Sequence, residues 1–411
     1  MGIRSFKSLL ETFLEPTVDR KTETFVHLKI AQVTPYFYPP SLGGVELTVH
    51  YLSRALAARQ HDVHIFTADK DLSGHRIVAV ASSDTRYGIK IHRVPTIRLF
   101  YRYEYPLKAG LINLQDFDVI HVHSPHHIFT NCLARQMKVK NATVVLTCFA
   151  WGQILSGKNI LRSLVLTPIE IMARGLVHRA NVIHVKNIGD YERISRTFRD
   201  KKVVIVPDGL PDYYFSCPNR EVYFRNKYGL TDHKLILYVG RFHHLKGPQV
   251  ILRSLHYIVK QDPEVLAVFI GSSGHYLRSL EKMSKAHNLE KHVKFFSNIS
   301  EYDKIGAYDS AELVIIPSLS DFVEAYSLVL SEAWARQKPV IASKVGALKT
   351  RIKDGRNGIL IEPGNPEALA RCVLNLLHDD ILKRKIIAAD DKDIFSWNDV
   401  AATMERIYRS S

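Results

Sequence analysis

The chain has 411 residues, 46% of them hydrophobic and 24% charged, with a net charge of +15. This length exceeds one ordinary hydrophobic core, so two domains of about 150–200 residues are expected in a soluble globular protein. No apolar run reaches the roughly 18–20 residues needed to span a bilayer, no signal-peptide pattern opens the chain, and Cys132, Cys148, Cys217 and Cys372 have no metal-ligand spacing, so a cytoplasmic protein with reduced thiols is expected.

The charge is uneven. Residues 1–207 hold 28 Lys and Arg against 16 Asp and Glu, whereas residues 208–411 hold 28 against 25. The first half therefore suits an anionic partner: an acidic membrane surface, a phosphorylated acceptor or, last, nucleic acid. No nucleic-acid motif and no dense basic tract is present, so no nucleic-acid partner is expected. A cytoplasmic location with peripheral contact at the membrane face fits the basic half.

In chain order, residues 1–28 form an N-terminal extension in which Phe6, Leu9, Leu10, Phe13 and Leu14 suit a short amphipathic helix ending near Pro16. From Lys29 strands and helices alternate. Short β-branched runs at Ile30–Thr34, Val63–Thr67, Ile91–Val94, Val119–Val122, Val144–Thr147, Val182–Val185 and Val203–Val206 read as strands buried on both faces of a parallel sheet. Val45–Arg59 and Leu161–His178 have helical periodicity. The latter region, preceded by Lys158, mixes basic and apolar residues as a membrane-surface helix does, or as a helix packed on the sheet does.

The pattern restarts after the turn-forming Pro207-Asp208-Gly209. Strands are expected at Leu235–Gly240, Leu266–Gly271, Val293–Phe296, Leu313–Ile316, Val340–Ala342 and Ile359–Ile361. Helices are expected at Pro248–Val259, Leu277–His287, Ser327–Arg336, Pro366–Leu377 and Asn398–Tyr408. The fold class is α/β, with two Rossmann-like doubly wound halves. Residues 29–207 form the first, 208–394 the second and 395–411 a terminal helix. Ligands of such sheets sit at the carboxyl ends of the strands.

Four strand-end loops carry the chemistry. Gly43 and Gly44 permit close approach of a phosphate or sugar to backbone, or make only a tight turn. His123 ends a buried strand, as a structural or a catalytic residue. Arg241 and Lys246 stand in one loop behind Gly240, and a guanidinium fork with a point-charge ammonium suits a diphosphate. Glu324 stands before a helix opened by Ser327 and Leu328, with Glu332 about two turns further on. A helix start attracts an anion. The two acids suit hydroxyl groups, so the ligand is read as a phosphate attached to sugars.

These motifs, in this order, resemble those of retaining glycosyltransferases of the GT-B fold, family 4 (group 1). Glu324 and Glu332, separated by seven residues, match that family's paired acids; Arg241, Lys246, the glycine pair and His123 match in type and place. The resemblance runs from Lys29 to the C-terminus. It implies two domains facing each other across a cleft, with a C-terminal helix from Phe395-Ser396-Trp397-Asn398 crossing back to the first. It further implies that Arg241 and Lys246 neutralise the leaving diphosphate, with the amides around Ser327 and Leu328 adding the helix dipole. Glu332 holds the donor ribose, Glu324 the hydroxyls of the transferred sugar, and His123 contacts that sugar. Gly43 and Gly44 admit donor phosphate or acceptor. Asn298 and Ile299, beside Phe296, lie where the family binds the base. The implied reaction moves a sugar from a UDP-, GDP- or ADP-linked donor to a carbohydrate or lipid-linked acceptor hydroxyl, without metal or cofactor.

The chain departs from the family pattern in places. Glu-Pro-Phe-Gly is here Glu324-Ala325-Tyr326-Ser327, the second glycine pair is Gly346-Ala347, Thr350 replaces an acid, Asp208 replaces Asn, and Gly271-Ser272-Ser273-Gly274 lacks an Asp. A GT-B-fold nucleotide-sugar epimerase, a phosphorylase-type enzyme and a non-catalytic sugar-nucleotide-binding subunit are the rival expectations.

Overall fold

A computed structural model describes residues 27–37, 44–70, 83–100, 103–107, 110, 112–135, 141–149, 151, 160–272 and 275–410. The amphipathic stretch ending near Pro16, Gly43, Arg102, Lys108, Lys158, Ser273 and Gly274 lie outside the described residues.

The chain divides into two compact units. The first runs to Gly209 and regains Phe395–Ser411, and the second is Leu210–Ile394. The first unit carries ten strands: β1 (Lys29–Val33), β2 (Asp62–Ala68), β3 (Ser83–Arg86), β4 (Ile89–Val94), β5 (Thr96–Phe100), β6 (Tyr103–Pro106), β7 (Val119–His123), β8 (Thr143–Thr147), β9 (Val182–Val185) and β10 (Lys202–Ile205). Eight form one sheet in the order β10-β9-β8-β7-β1-β2-β4-β3, parallel except for β3. The β-branched runs are buried on both faces, as a parallel sheet covered by helices requires. β3 and the separate β5–β6 hairpin were not expected from the sequence, because their residues are polar or mixed and lack the buried apolar run that marks the other strands.

The terminal helix Trp397–Arg409 packs against the Gly44–Ala58 helix. Trp397 stacks on Tyr51 at 6.0 Å and Arg59 pairs with Glu405 at 2.7 Å. Its start is fixed by a capping box between Ser396 and Asp399. Gly209 lies against it so closely that a Cβ there would sit 2.6 Å from the Trp397 amide nitrogen.

A polar row crosses this otherwise apolar sheet. The His184 Nε2–H donates to the Val206 carbonyl at 2.8 Å, which leaves Nδ1 to accept from the Thr147 hydroxyl at 2.8 Å. Thr147 in turn accepts from His121 Nε2, and His121 Nδ1 accepts from the Tyr408 hydroxyl at 2.7 Å. Each ring is thereby locked in one neutral tautomer. Burial holds His184 down to about 4, and pushes His121 and His123 well below the ordinary imidazole range. Lys186, paired with Asp208, faces the same row and works in the same direction.

A depressed histidine contributes stability above its unfolded pKa of about 6.5, and that stability is lost as pH falls toward the folded value. Stability is expected to drop by about 3 kcal/mol between pH 7 and pH 4 from His184 alone. A His184→Asn variant should flatten that part of the profile in urea titrations at stepped pH. An unchanged slope would show that the row does not govern acid stability.

The second unit holds β11 (Lys234–Val239), β12 (Val265–Gly271), β13 (Val293–Ser297), β14 (Ala311–Ile316), β15 (Val340–Ser343) and β16 (Ile359–Ile361) in a wholly parallel sheet of order β13-β12-β11-β14-β15-β16. Two apolar clusters, one on each face, bury it against helices that include Pro248–Gln261, Glu301–Ser310 and Leu328–Ala335. β11, β14 and β15 are neighbours, so the loop leaving β11 meets those leaving β14 and β15 although β11 ends at Val239 and they end at Ile316 and Ser343.

Candidate functional site

The loop after β11 begins at Gly240, whose amide donates to the Ile270 carbonyl at 2.9 Å. Gly271 packs over it, and a Cβ at Gly271 would lie 2.2 Å from the Gly240 oxygen. The next residue, Arg241, is exposed, and its guanidinium makes no hydrogen bond or ion pair among the described residues. Its backbone is held, since the Tyr238 hydroxyl donates to the Arg241 carbonyl at 2.8 Å. The strand end fixes the main chain and leaves the cation free.

Lys246 behaves differently. It lies in a single helical turn, His244–Lys246, capped by the His243 ring. Its Nζ donates to Glu324 Oε1 and to the Val323 carbonyl, both at 2.8 Å. Glu324 is 2% exposed. Ser318 adds a 2.6 Å bond to the same Oε1, while Oε2 is buried without a partner. A buried carboxylate oxygen with open lone pairs is costly unless something supplies a donor.

Two glycines make this arrangement possible. Gly247 has φ +75°, and a Cβ there would lie 1.9 Å from the Pro317 carbonyl oxygen. Gly346 has φ +50°, and its Cβ would lie 2.4 Å from the Glu324 oxygen. Gly247→Ala is expected to cost about 2–4 kcal/mol, combining left-handed strain with a backbone clash. A urea midpoint equal to wild type would contradict this packing.

The Leu328–Ala335 helix starts at Ser327, which is left-handed at φ +69° and whose hydroxyl is buried without a partner. Arg351, itself buried, donates to the carbonyls of Tyr326 (2.7 Å) and Ser327 (3.0 Å) and so clamps this unusual peptide. A side chain held in that region costs about 1–2 kcal/mol. Ser327→Gly is expected to raise stability by about 1 kcal/mol or less after glycine's entropy is subtracted. A fall in the melting midpoint would mean that Ser327 is not strained.

Glu332 is the fifth residue of this helix, about one turn in rather than the expected two. Its Oε2 accepts from the Tyr308 hydroxyl at 2.7 Å and its Oε1 from Lys304 at 3.3 Å. Tyr308 is pushed well above the ordinary phenol value by burial and by Glu332. Glu332 shares no partner with Glu324, so the two acids are separate stations rather than one dyad. Asn298, exposed with φ +59°, and half-buried Ile299 follow β13, with Phe296 packed on Tyr228 at 4.7 Å.

Leu328 opens the helix and packs on the core. In the first unit, Gly44 opens its helix with no atom within 4 Å of an added Cβ, leaving open room. His123, expected as a structural or a catalytic residue at the end of a buried strand, has its ring enclosed. It is fully buried, its Nε2 lies 2.6 Å from Gln32 Oε1, and its Nδ1 has no partner. Two basic residues of β4 and β5 are engaged within the first unit. Arg98 is bonded to Glu104 at 2.6 Å, and Arg93 is buried on β4.

Ser318, Tyr308, Lys304 and Arg351 were not anticipated. Tyr308, Lys304 and Arg351 act through contacts with residues more than twenty positions away, and Ser318 through one within its own loop, and no local pattern announces either. Gly247, directly after Lys246, was the one legible signal, because a glycine inside a cation-bearing loop marks close approach.

Residues 222–393 match the model of the glycosyl transferases group 1, and residues 42–212 match that of glycosyltransferase family 4. The chain belongs to glycosyltransferase family 4, group 1. This family 4 glycosyltransferase is 26% identical over 405 residues to an uncharacterized glycosyltransferase of Methanocaldococcus jannaschii, covering 93% of this chain and 98% of that one. Among solved structures it is similar to sucrose-phosphate synthase from Thermosynechococcus elongatus, with TM-score 0.74 and 22% identity over 93% of this chain and 98% of the other. It is also similar to Anabaena HepE in complex with UDP-glucose, with TM-score 0.72 and 17% identity over 94% and 100%. The enzyme thus shares the GT-B fold of these glycosyltransferases.

Proposed function

We propose that this glycosyltransferase moves a sugar from a nucleotide-diphosphate sugar to the hydroxyl of a glycan, glycolipid or lipid-linked acceptor, with retention of anomeric configuration. One observation carries the reading. The buried Glu324 is tied to Lys246 through one oxygen only, next to an unpaired Arg241 and the start of a helix. Arg241, Lys246 and the amides of Ser327 and Leu328 then form a cationic seat for a diphosphate. The open Oε2 of Glu324 accepts a hydroxyl of the transferred sugar. Glu332, held by Tyr308 and Lys304, has lone pairs left for a ribose diol. Asn298 and Ile299 take the base through main chain, and Gly240 keeps the β11 loop low enough for phosphate. His123, fully buried beside Gln32, fits the structural one of its two expected roles.

Charge develops on the diphosphate as the glycosidic bond breaks. Fixed cations and a helix dipole in water-poor surroundings stabilise it without reorganising. The acceptor attacks from the face the diphosphate leaves. The cations supply what a divalent metal supplies elsewhere, so turnover is expected to persist in excess chelator. HepE, a structural neighbour, is in complex with UDP-glucose, which makes UDP-sugars the first donors to try. Calorimetric titration with UDP-, GDP- and ADP-sugars is the test, followed by NMR of the product's anomeric configuration. Binding of none of the three, or an inverted product, would overturn the reading. A donor converted without any acceptor would favour an epimerase.

A further inference from the structure

One face of the first sheet carries a row of rings that the transfer site does not use. Asp62, His64 and Phe66 share that face of β2, and Lys90, His92 and Val94 share it on the neighbouring β4. Phe66 stacks on His92 with ring centres 4.7 Å apart, and Phe117 meets His64 edge-on at 5.0 Å.

The polar members of the row form a chain. A carboxylate only accepts, so His64 Nε2, 3.2 Å from Asp62 Oδ1, is its donor. Lys90 also approaches that nitrogen, at 3.4 Å, but is itself bound to Asp62 at 2.8 Å. His64 Nδ1 is left to accept, and His92 Nε2 donates to it at 3.0 Å. His92 therefore keeps a lone pair on Nδ1, which has no hydrogen bond among the described residues. Burial holds both imidazoles below their ordinary range and so preserves that lone pair at neutral pH.

The row lines a cavity of about 470 Å³, which lies within the range of small-molecule sites. Two opposite charges line it without pairing. The Lys29 ammonium stands 4.8 Å from the centre of the Phe117 ring. Neither it nor the exposed Asp116 carboxylate makes a hydrogen bond or ion pair among the described residues. Lys29 opens β1, and Asp116 and Phe117 precede β7. This end of the cavity thus lies at the amino ends of the strands, away from the loops that follow them.

We infer that this cavity binds an aromatic α-amino acid whose ring carries an N–H or O–H. Phe66, Phe117, Val94 and Ile112 offer apolar walls to a flat ring. Lys29 takes the carboxylate and Asp116 the ammonium. His92 Nδ1 accepts from the ring donor, its tautomer fixed by the Asp62–His64 chain. A hydrocarbon would leave all three polar groups unmatched, and a simple anion would meet the charge of Asp116.

The inference uses residues of the first unit alone and does not depend on the donor chemistry proposed above. Calorimetric titration of the full-length protein with L-tyrosine and L-tryptophan tests it. L-Phenylalanine and L-tryptophan methylated on the indole nitrogen serve as counterparts without the ring donor. A Kd of about 10 µM to 1 mM is expected for at least one parent, with its counterpart about tenfold weaker. Lys29→Met keeps the side-chain stem over Phe117 and removes the charge, and Asp116→Asn removes the opposite one. Each should weaken binding about fivefold or more while leaving the urea midpoint at the wild-type value. His92→Phe keeps a ring against Phe66 and removes the lone pair, so parent and counterpart should then bind equally. Binding of neither parent would overturn the inference, as would a counterpart equal to its parent on wild type. Unchanged affinity in Lys29→Met would do the same. Displacement of the bound amino acid by UDP would place it in the proposed donor seat instead, and would equally overturn the assignment.

Discussion

A Lys246→Ala variant is expected to lose about 3–5 kcal/mol of stability and to slow sugar transfer by a factor of about 10²–10³. The two losses share one cause. Glu324 is almost wholly buried, and the Lys246 ammonium at 2.8 Å is its only counter-charge among the described contacts. Removing that cation leaves a carboxylate supported by the Ser318 hydroxyl alone, with one oxygen already lacking a partner. The same deletion takes a positive charge from the seat proposed for the departing diphosphate. A second substitution separates these effects. Adding Glu324→Gln to Lys246→Ala removes the stranded charge, so the urea midpoint should recover most of the way while turnover stays low. Equal stability of wild type and the single variant would mean that the pair is not structural. Recovery of turnover in the double variant would mean that neither group serves the reaction.

An Arg241→Ala variant is expected to show the opposite partition. Its side chain is exposed and unpaired, and its backbone is held by Tyr238 irrespective of the side chain. Surface changes of this kind leave stability nearly unchanged, so the urea midpoint should match wild type. Transfer should still fall by about 10²–10³, the usual consequence of losing one group that stabilises developing charge. Arg241→Lys should recover only part of that loss, because an ammonium cannot offer the guanidinium's two-pronged bond to phosphate oxygens. Undiminished transfer by Arg241→Ala would remove this residue from the mechanism. Lys246 therefore reports on the site's architecture and Arg241 on its electrostatics, and a donor-binding titration on both variants distinguishes ground-state from transition-state effects.

Much of the core sheet was legible in the chain. β1, β2, β7, β8 and β9 fall within a residue or two of the runs read from the sequence, and so do all six strands of the second unit. Buried parallel strands write their position as short β-branched stretches, because both faces are apolar. The same logic failed for the β5–β6 hairpin, whose apolar groups face outward and whose buried face is Glu104, Thr96 and half of Arg98. Pattern reading assumes that hydrophobic means inward, and this ribbon breaks the assumption. For His123 the sequence left a structural and a catalytic role open. The place of that residue at a strand end was correct, but only packing revealed a fully enclosed ring bonded to Gln32.

The sequence by itself determined which residue types stand at the strand ends: Arg241 and Lys246 after β11, Glu324 after β14, and Ser327 where a helix begins. It also determined membership of the family, through motif order. Only the tertiary structure decided how those residues are used. Spacing along the chain does not contain the strand order, and it is the adjacency of β11, β14 and β15 that brings Lys246 to Glu324 while leaving Arg241 unpaired. Close contacts between backbones, such as Gly247 against Pro317 and Gly346 against Glu324, then hold that geometry. An ion pair between residues 78 positions apart is a consequence of sheet topology, and no local reading of either segment contains it.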